Sequence, residues 1–138
     1  MDKIEIAYII HPLKGDEFFT LEQNLERVKN ICKSLYSKEL MPISVALYFT
    51  QFMDDTKQED RELGLEFDLE ILRRDFIDKI LAYGHKVSRG MGLELALVKE
   101  RKLPLIPKEE QIIIPLEKHL RDTMQIKTYL KLDLPFLW

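Results

Sequence analysis

Apolar and polar positions along this chain follow two periods, one typical of strands and one typical of helices. Short apolar runs end at glycine, proline or charged residues, and longer amphipathic stretches separate these runs. The runs predict β-strands at residues 3–10, 43–49, 77–83 and 103–106. The amphipathic stretches predict a helix between each strand and the next.

Two capping boxes mark predicted helix starts. Thr20 and Gln23 have the spacing at which two side chains satisfy the free backbone amides of a first helical turn. The apolar positions that follow at helical spacing are Leu21, Leu25, Val28, Ile31, Cys32 and Leu35. Thr56 and Glu59 form the second box and predict a helix that ends near Arg74. Its predicted apolar stripe consists of Leu63, Phe67 and Ile71.

A third helix is predicted to begin in the glycine-containing loop after the third strand. Leu93, Ala96 and Leu97 give this helix an apolar face, and charged residues close its last turn. The order β-α-β-α-β-α-β predicts an α/β fold with right-handed crossovers. We expect a single doubly wound parallel sheet of four to five strands, Rossmann-like or flavodoxin-like, with helices on both faces. Residues 1–107 are predicted to form this domain.

Residues 108–138 are predicted to form a C-terminal extension that packs on the domain or on a partner subunit. Residues 112–114 indicate either another strand or a packed extension, and Leu116, Leu120 and Met124 indicate a further helix. The last segment, LKLDLPFLW, is apolar, and such a segment is typically covered by its own domain or by a second subunit. Docking is favoured over a membrane role because the segment lacks a basic face.

Composition narrows the classes of function. The chain has 138 residues, 46% hydrophobic and 33% charged, with a net charge of −3, which gives no general attraction to nucleic acid or membrane. No apolar run reaches the ~20 residues that span a bilayer, and the N-terminal segment lacks a signal-peptide layout, so a cytoplasmic protein is predicted. The single cysteine, Cys32, excludes an internal disulfide and indicates packing rather than a nucleophile. His11, His85 and His119 lack metal-ligand spacing, so neither a metal nor a cofactor is predicted.

The segment that joins the third strand to the third helix carries the main candidate chemistry. Ser88, Arg89 and the N–H groups from Gly90 to Gly92 lie where a helix N-terminus would bind an anion. Glu94 follows in the predicted first turn, on a helix that is apolar around most of its circumference, so we expect it at a buried edge. An unpaired carboxylate there costs several kcal/mol or shifts its pKa upward. Glu94 is therefore either a catalytic group or a structural glutamate bonded to loop amides.

Polar residues also follow the first two predicted strands, at the sheet edge where open α/β sheets bind ligands. The loop after the first strand contains His11, Pro12, Lys14, Gly15 and Asp16. After the second strand, the candidates are Tyr48, Asp54 and Asp55. An acidic pair of this kind is more typical of turns and helix caps than of a metal site, but its position leaves a ligand role open.

Three segments together resemble the nucleoside 2-deoxyribosyltransferase superfamily, which includes deoxynucleoside-monophosphate N-glycosidases. They are most similar to an uncharacterised branch of it found in bacteria and phages. AYIIHPLKGD resembles the first strand and loop of that branch, and ALYFTQFMDD followed by RELGLE resembles its second strand and helix. YGHKVSRGMGLELA resembles the exit of its third strand, which ends in the superfamily's nucleophilic glutamate. The resemblance covers about residues 3–107.

The resemblance implies a role for each candidate residue. Glu94 would attack C1′ of the sugar and form a covalent glycosyl-enzyme intermediate, with Tyr8 positioning it. The residues that bind a 5′-phosphate would be Ser88, Arg89 and Gly90 in one loop and Lys14 and Gly15 in the other. The residues that reach the base or the sugar would be Tyr48, Asp54 and Asp55. Superfamily members commonly complete one another's sites across a dimer interface, so a homo-oligomer is expected.

One departure from the superfamily changes the expected substrate. Transferases that act on free nucleosides carry an aspartate shortly before the nucleophile, whereas residues 84–93 contain no carboxylate. Arg89 stands in that loop, and a guanidinium gives phosphate a bidentate partner, which favours a nucleoside 5′-monophosphate. Losing a proton donor costs ~10²–10⁴ in rate, so the departure also favours a site that binds without cleaving.

These observations lead to three hypotheses. The first is cleavage or base exchange at the N-glycosidic bond of a (deoxy)nucleoside 5′-monophosphate or related nucleotide, with Glu94 as the nucleophile. The second is a non-catalytic protein that senses or sequesters a nucleotide in the same pocket. The third is a protein-interaction role for the apolar C-terminal segment or for the acidic helix near residues 59–70. Only the first requires Glu94 for turnover.

Overall fold

Four parallel strands and five helices form the part of the chain that the structure describes. The computed structural model describes residues 3–120. Its elements are β1 (Glu5–Ile10), α1 (Leu21–Leu35), β2 (Leu40–Ile43), α2 (Val45–Phe49), α3 (Gln58–Arg73), β3 (Lys79–Ala82), α4 (Arg89–Glu100), β4 (Leu105–Pro107) and α5 (Glu110–Leu120). The predicted α/β fold is confirmed.

The strands lie in the order β2-β1-β3-β4, and every neighbouring pair is parallel. The chain leaves β1 toward β2 on one side and then returns across the sheet to β3 on the other side. The order therefore reverses between β1 and β3, as in flavodoxin-like sheets. The loops that follow these two strands diverge, and this opens a crevice at the carboxyl edge of the sheet.

Alternating residues of the two central strands supply the cores on both faces of the sheet. On one face, Tyr8, Ile10 and Ile80 pack with apolar residues of α3, α4 and α5. On the other face, Ile9 and Leu81 pack with α1. Strands that are covered on both faces read as nearly continuous apolar runs, which is why these strands were recognisable in the sequence.

The strand predicted at residues 43–49 is wrong. The second strand is Leu40–Ile43, and residues Val45–Phe49 form the short helix α2 instead. The Ser44 side chain accepts a hydrogen bond from the Leu47 amide and caps this helix. Alternating Ile43, Val45, Leu47 and Phe49 imitate a strand because α2 packs between the two cores, with Val45 in one and Leu47 in the other.

Of the two predicted capping boxes, only the first is present. Thr20 caps α1, and both reciprocal hydrogen bonds with Gln23 are formed. The cap of α3 is Lys57, without a side-chain hydrogen bond, because the Thr56 hydroxyl donates to the Asp54 carboxylate 2.5 Å away. An aspartate two residues before a threonine competes for its hydroxyl, and here this local turn replaces the box.

The apolar stripe predicted for α3 is confirmed only in part, since Ile71 packs against the core and Leu63 does not. Leu63 is 47% exposed, whereas Leu72 is fully buried. The ring of Phe67 lies 4.8 Å from that of Phe49, so Phe67 packs on α2. The inward side of α3 carries Leu65, Asp68 and Leu72 at helical spacing.

The C-terminal extension is helical as far as the structure describes it. Residues 112–114 belong to α5 and are not a strand, and Leu116 and Leu120 are buried on the same helix. Met124 and the segment LKLDLPFLW lie outside the described residues. Within residues 3–120, no helix is long and apolar enough to cross a membrane.

Candidate active site

A cleft of about 490 Å³ opens at the carboxyl ends of β1 and β3. Its walls come from the loops that follow these strands, from α2 and α3, and from the first turns of α4. Small-molecule sites typically have volumes of roughly 300–1,000 Å³ and occur at such a reversal of strand order. The cleft is therefore the candidate site for a small-molecule ligand.

Tyr8 and Glu94 meet in this cleft although they are 86 residues apart in sequence. The Tyr8 hydroxyl donates a hydrogen bond to Oε2 of Glu94 at 2.5 Å. The two residues are 1% and 7% exposed. Burial raises the pKa of Tyr8 well above its usual value, and the charge of Glu94 adds to this, so the tyrosine keeps its proton and remains the donor. The expected buried position of Glu94 is confirmed, although the residue lies in the second turn of α4.

Asp68 on α3 brings a second carboxyl group into electrostatic contact with Glu94. Burial, followed by repulsion from Asp68, raises the pKa of Glu94 to about 8, and the hydrogen bond from Tyr8 opposes this shift. Burial, followed by the charge of Asp55, raises the pKa of Asp68 to about 7. Two interacting carboxyl groups with such pKa values titrate as a unit. Between these two pKa values, the pair holds about one proton.

The hydrogen bond from Tyr8 lowers the pKa of Glu94, against the larger effects of burial and Asp68. A hydroxyl that donates to a carboxylate stabilises its charged form. Tyr8 donates to Glu94 and so stabilises its ionised form, but this only partly offsets the rise in the pKa of Glu94 that burial and Asp68 cause. The cleft thus holds two carboxyl groups with raised pKa values, and cleavage of a glycosidic bond uses a pair of carboxyl groups.

The loop before α4 presents a helix N-terminus to the cleft. Ser88 caps α4, accepting a hydrogen bond from the Met91 amide with its side chain. Ser88, Arg89 and Gly90 line the cleft. Gly92 does not, since its N–H donates to the Ser88 carbonyl and an added Cβ would lie 2.8 Å from His119 on α5. Gly92 therefore serves the contact between α4 and α5.

The loop after β1 forms the opposite wall, and His11, Lys14 and Gly15 line the cleft there. The nearly fully buried Asn24 holds this loop by donating from Nδ2 to the carbonyls of Leu13 and Lys14. Burial lowers the pKa of His11, and its Nδ1 lies 2.6 Å from the Pro12 carbonyl. A neutral imidazole that donates from Nδ1 has only an acceptor at Nε2, which does not suit a phosphate.

The acidic pair after α2 is divided between a turn and the cleft. Asp54 accepts hydrogen bonds from the backbone and side chain of Thr56 and does not line the cleft. Asp55 lines the cleft, and burial raises its pKa. Tyr48 is 64% exposed, packs on Phe49 and Phe52, and lies outside the cleft lining.

A family model described as a domain of unknown function (DUF7768) matches residues 5–107. The chain belongs to this family. None of the curated proteins compared with the chain matches it. The family match includes every residue that lines the cleft and ends before α5.

Five charged residues of the cleft were not recognised from the sequence: Asp60, Arg61, Glu62, Asp68 and Lys86. Asp68 had a usable signal, because it is a charged residue at helical spacing between Leu65 and Leu72. Placing the stripe of α3 at Leu63 concealed it. Lys86 lies between predicted site residues, but only the fold shows that its side chain lines the cleft.

Gly84 is required at the exit of β3. Its φ is 111°, and an added Cβ would lie 2.5 Å from Cδ of the buried Pro12. Its amide donates to Oε1 of Glu109 at 2.7 Å, and Arg27 binds the same carboxylate. Pro12 therefore shapes the backbone beneath the cleft and does not line it.

We expect Gly84→Ala to lower the free energy of unfolding by about 1–3 kcal/mol from backbone strain, with the clash against Pro12 adding to this. Urea unfolding followed by circular dichroism would measure the change. Gly64→Ala is the matched control, because an added Cβ at Gly64 on α3 meets no atom within 4 Å. We expect this control to gain about 0.5–1 kcal/mol. Equal stabilities of the two variants would contradict the role given to Gly84.

Proposed function

We propose that this protein cleaves the N-glycosidic bond of a nucleoside 5′-monophosphate, with Glu94 as the nucleophile. The observation that carries the proposal is the buried carboxyl pair of Glu94 and Asp68, in which Tyr8 donates a hydrogen bond to Glu94. Burial makes such a pair unfavourable for folding, and a catalytic role accounts for its presence. The resemblance to the deoxyribosyltransferase superfamily supports the same assignment of Glu94 and Tyr8.

The reaction proceeds in two steps. In the first, a carboxylate oxygen of Glu94 bonds to C1′ while the bond from C1′ to the base nitrogen breaks, and Asp68 gives its proton to the departing base. In the second, Asp68 takes a proton from water, the water oxygen bonds to C1′, and the bond to Glu94 breaks. A second base in place of water would give base exchange.

Cationic side chains at the cleft support a phosphorylated substrate. Lys14, Arg61, Lys86 and Arg89 line it, and Arg89 is the first residue of α4, whose N-terminal residues also line the cleft. A dianionic phosphate binds favourably to helix N-termini and to guanidinium or ammonium groups. Residues 84–93 lack the aspartate that transferases acting on free nucleosides carry. In this proposal, Asp68 on α3 donates the proton instead.

One observation favours the second function, a protein that binds a nucleotide without cleaving it. The pKa of Glu94 is raised to about 8, and a protonated glutamate cannot attack C1′. Such a protein would bind the nucleotide in the same cleft, and binding would raise its thermal stability without release of the base. Direct observation of the base distinguishes the two functions.

The test is incubation of the purified protein with nucleoside 5′-monophosphates, in ribo and deoxyribo forms, and with the corresponding free nucleosides. Chromatography would detect the released base. We expect release from at least one monophosphate, at a kcat/KM about 10- to 100-fold above that of its nucleoside, the range given by one charge-assisted hydrogen bond to phosphate. Ligand-induced thermal stabilisation without any released base would favour the binding protein. Gel filtration would test the predicted homo-oligomer.

A further inference from the structure

Asp16 joins the two loops that form opposite walls of the cleft. Its Oδ1 accepts hydrogen bonds from the amides of Phe18 and Phe19, within its own loop. Its Oδ2 lies 2.7 Å from Nζ of Lys86 and 3.0 Å from Nε2 of His85, both in the loop before α4. One carboxylate therefore fixes its own loop with one oxygen and the facing loop with the other.

The aromatic side chains beside Asp16 strengthen this junction. The rings of Phe18 and Phe19 lie 5.2 and 5.4 Å from the ring of His85. Such contacts keep the His85 backbone, and with it the start of the loop to Ser88, close to the first loop. The two walls are thus linked through a single small cluster.

Asp16 does not itself line the cleft, whereas Lys86 does. The Asp16 side chain is 15% exposed and that of Lys86 is 42% exposed. Lys86, followed by the amides of Phe19 and Phe18, holds the pKa of the Asp16 carboxyl well below its usual range, so it is ionised at neutral pH. Any effect of Asp16 on a bound ligand therefore passes through its charge or through Lys86.

We propose that Asp16 is a positioning residue that holds Lys86 toward the cleft for the anionic group of the ligand. The inference rests on the phosphorylated ligand of the proposed function. It assigns to Asp16 a role through Lys86 instead of direct contact with the substrate. The lysine side chain has a flexible four-carbon stem. Because Asp16 already holds it in place, less conformational entropy is lost when the ligand binds.

The direction in which the Kd for phosphate changes shows whether Asp16 acts by positioning Lys86 or only through its own charge. A negative charge beside an anion site repels the anion, so removing it without any positioning effect would strengthen phosphate binding. Loss of positioning would weaken it. We expect Asp16→Asn to raise the Kd for inorganic phosphate about tenfold, the cost of one charge-assisted hydrogen bond. Isothermal titration calorimetry of the full chain with inorganic phosphate measures this directly.

Two further variants make the result specific. Glu17→Gln removes the same charge from the neighbouring exposed residue and is expected to leave the Kd unchanged. Lys86→Ala is expected to raise the Kd as much as Asp16→Asn does. In the Lys86→Ala background, Asp16→Asn should no longer weaken binding, since the residue acts through Lys86.

Several outcomes would overturn the proposal. An unchanged or lower Kd in Asp16→Asn, an unchanged Kd in Lys86→Ala, additive losses in the double variant, or no phosphate binding by the wild-type protein would each do so. Asn keeps the oxygen that accepts from Phe18 and Phe19, so the loop should fold, and the exposed Lys86 gives an independent test. Base release is measured separately: phosphate binding that depends on Asp16 without base release would defeat only the proposed reaction.

Discussion

Replacing Glu94 by Gln is expected to lower the rate of base release by about 10³-fold or more, which corresponds to a loss of roughly 4 kcal/mol of transition-state stabilisation. Glutamine has nearly the same shape and can still accept the hydrogen bond from Tyr8, but it cannot form the glycosyl ester. Nucleotide binding should persist. Single-turnover assays for the released base, with calorimetry for binding, would measure the two effects separately.

The same substitution should raise thermal stability. The way in which this gain depends on pH would show that the raised pKa of Glu94 is its cause. The pKa of Glu94 is raised to about 8 in the folded protein, against ~4.3 in an unfolded chain. The folded state therefore holds the proton more tightly, and the free energy of unfolding falls as the pH rises through this window. Glutamine has no such dependence. At about pH 4, we expect the Tm of Glu94→Gln to equal that of the wild type. As the pH rises toward about 8, the variant's Tm should exceed the wild-type Tm by an increasing amount.

Glu100→Gln is the matched control for both measurements, because Glu100 is an exposed carboxylate at the other end of α4. It should alter neither base release nor the pH dependence of Tm. If the Tm difference for Glu94→Gln did not change with pH, Glu94 would be ionised throughout this range, and the shared proton would be excluded. Full base release by Glu94→Gln would exclude this residue as the nucleophile.

The order of strands and helices could be predicted because the sheet is buried on both faces. A short apolar run such as residues 80–83, ended by glycine, is typical of a buried strand, and the capping box at Thr20 depends only on neighbours three residues apart. The strand prediction for residues 43–49 was wrong because alternating apolar residues also occur in a short helix that packs between two cores. There, the cap at Ser44 decided the structure, and tertiary packing outweighed the local period.

The buried glutamate of the cleft could be located from sequence, whereas its surroundings could not. Glu94 was evident as a lone carboxylate on an otherwise apolar helix. Asp68 was missed because its role depends on which side of α3 faces α4, and two apolar stripes on that helix compete. Asp16 was correctly located in a loop at the sheet edge, but its partners in the facing loop lie 69 residues or more along the chain. Contacts of this kind follow from topology, which residue spacing alone does not supply.

Asp68→Asn is expected to lower kcat/KM by about 10²–10⁴-fold for nucleotides whose base must be protonated to leave. In the wild-type protein, base release should follow a bell-shaped pH profile with its maximum between about 7 and 8, because the reactive form of the pair holds one proton and loses it at higher pH. The variant should lack this alkaline decline, since asparagine does not titrate. Glu66→Gln, an exposed carboxylate on the same helix, should keep the wild-type profile.

A substrate whose base needs no proton to depart tests whether Asp68 is the proton donor. An N7-methylated purine nucleotide already carries a positive charge on its base, so the base can depart without a proton from the protein. Asp68→Asn should therefore cleave this substrate at nearly the wild-type rate, while Glu94→Gln should remain inactive on it. Equal losses on methylated and unmethylated substrates would show that Asp68 shapes the cleft rather than donating the proton. Because the two carboxyl groups share one proton, the two variants together identify which of them carries it during bond cleavage.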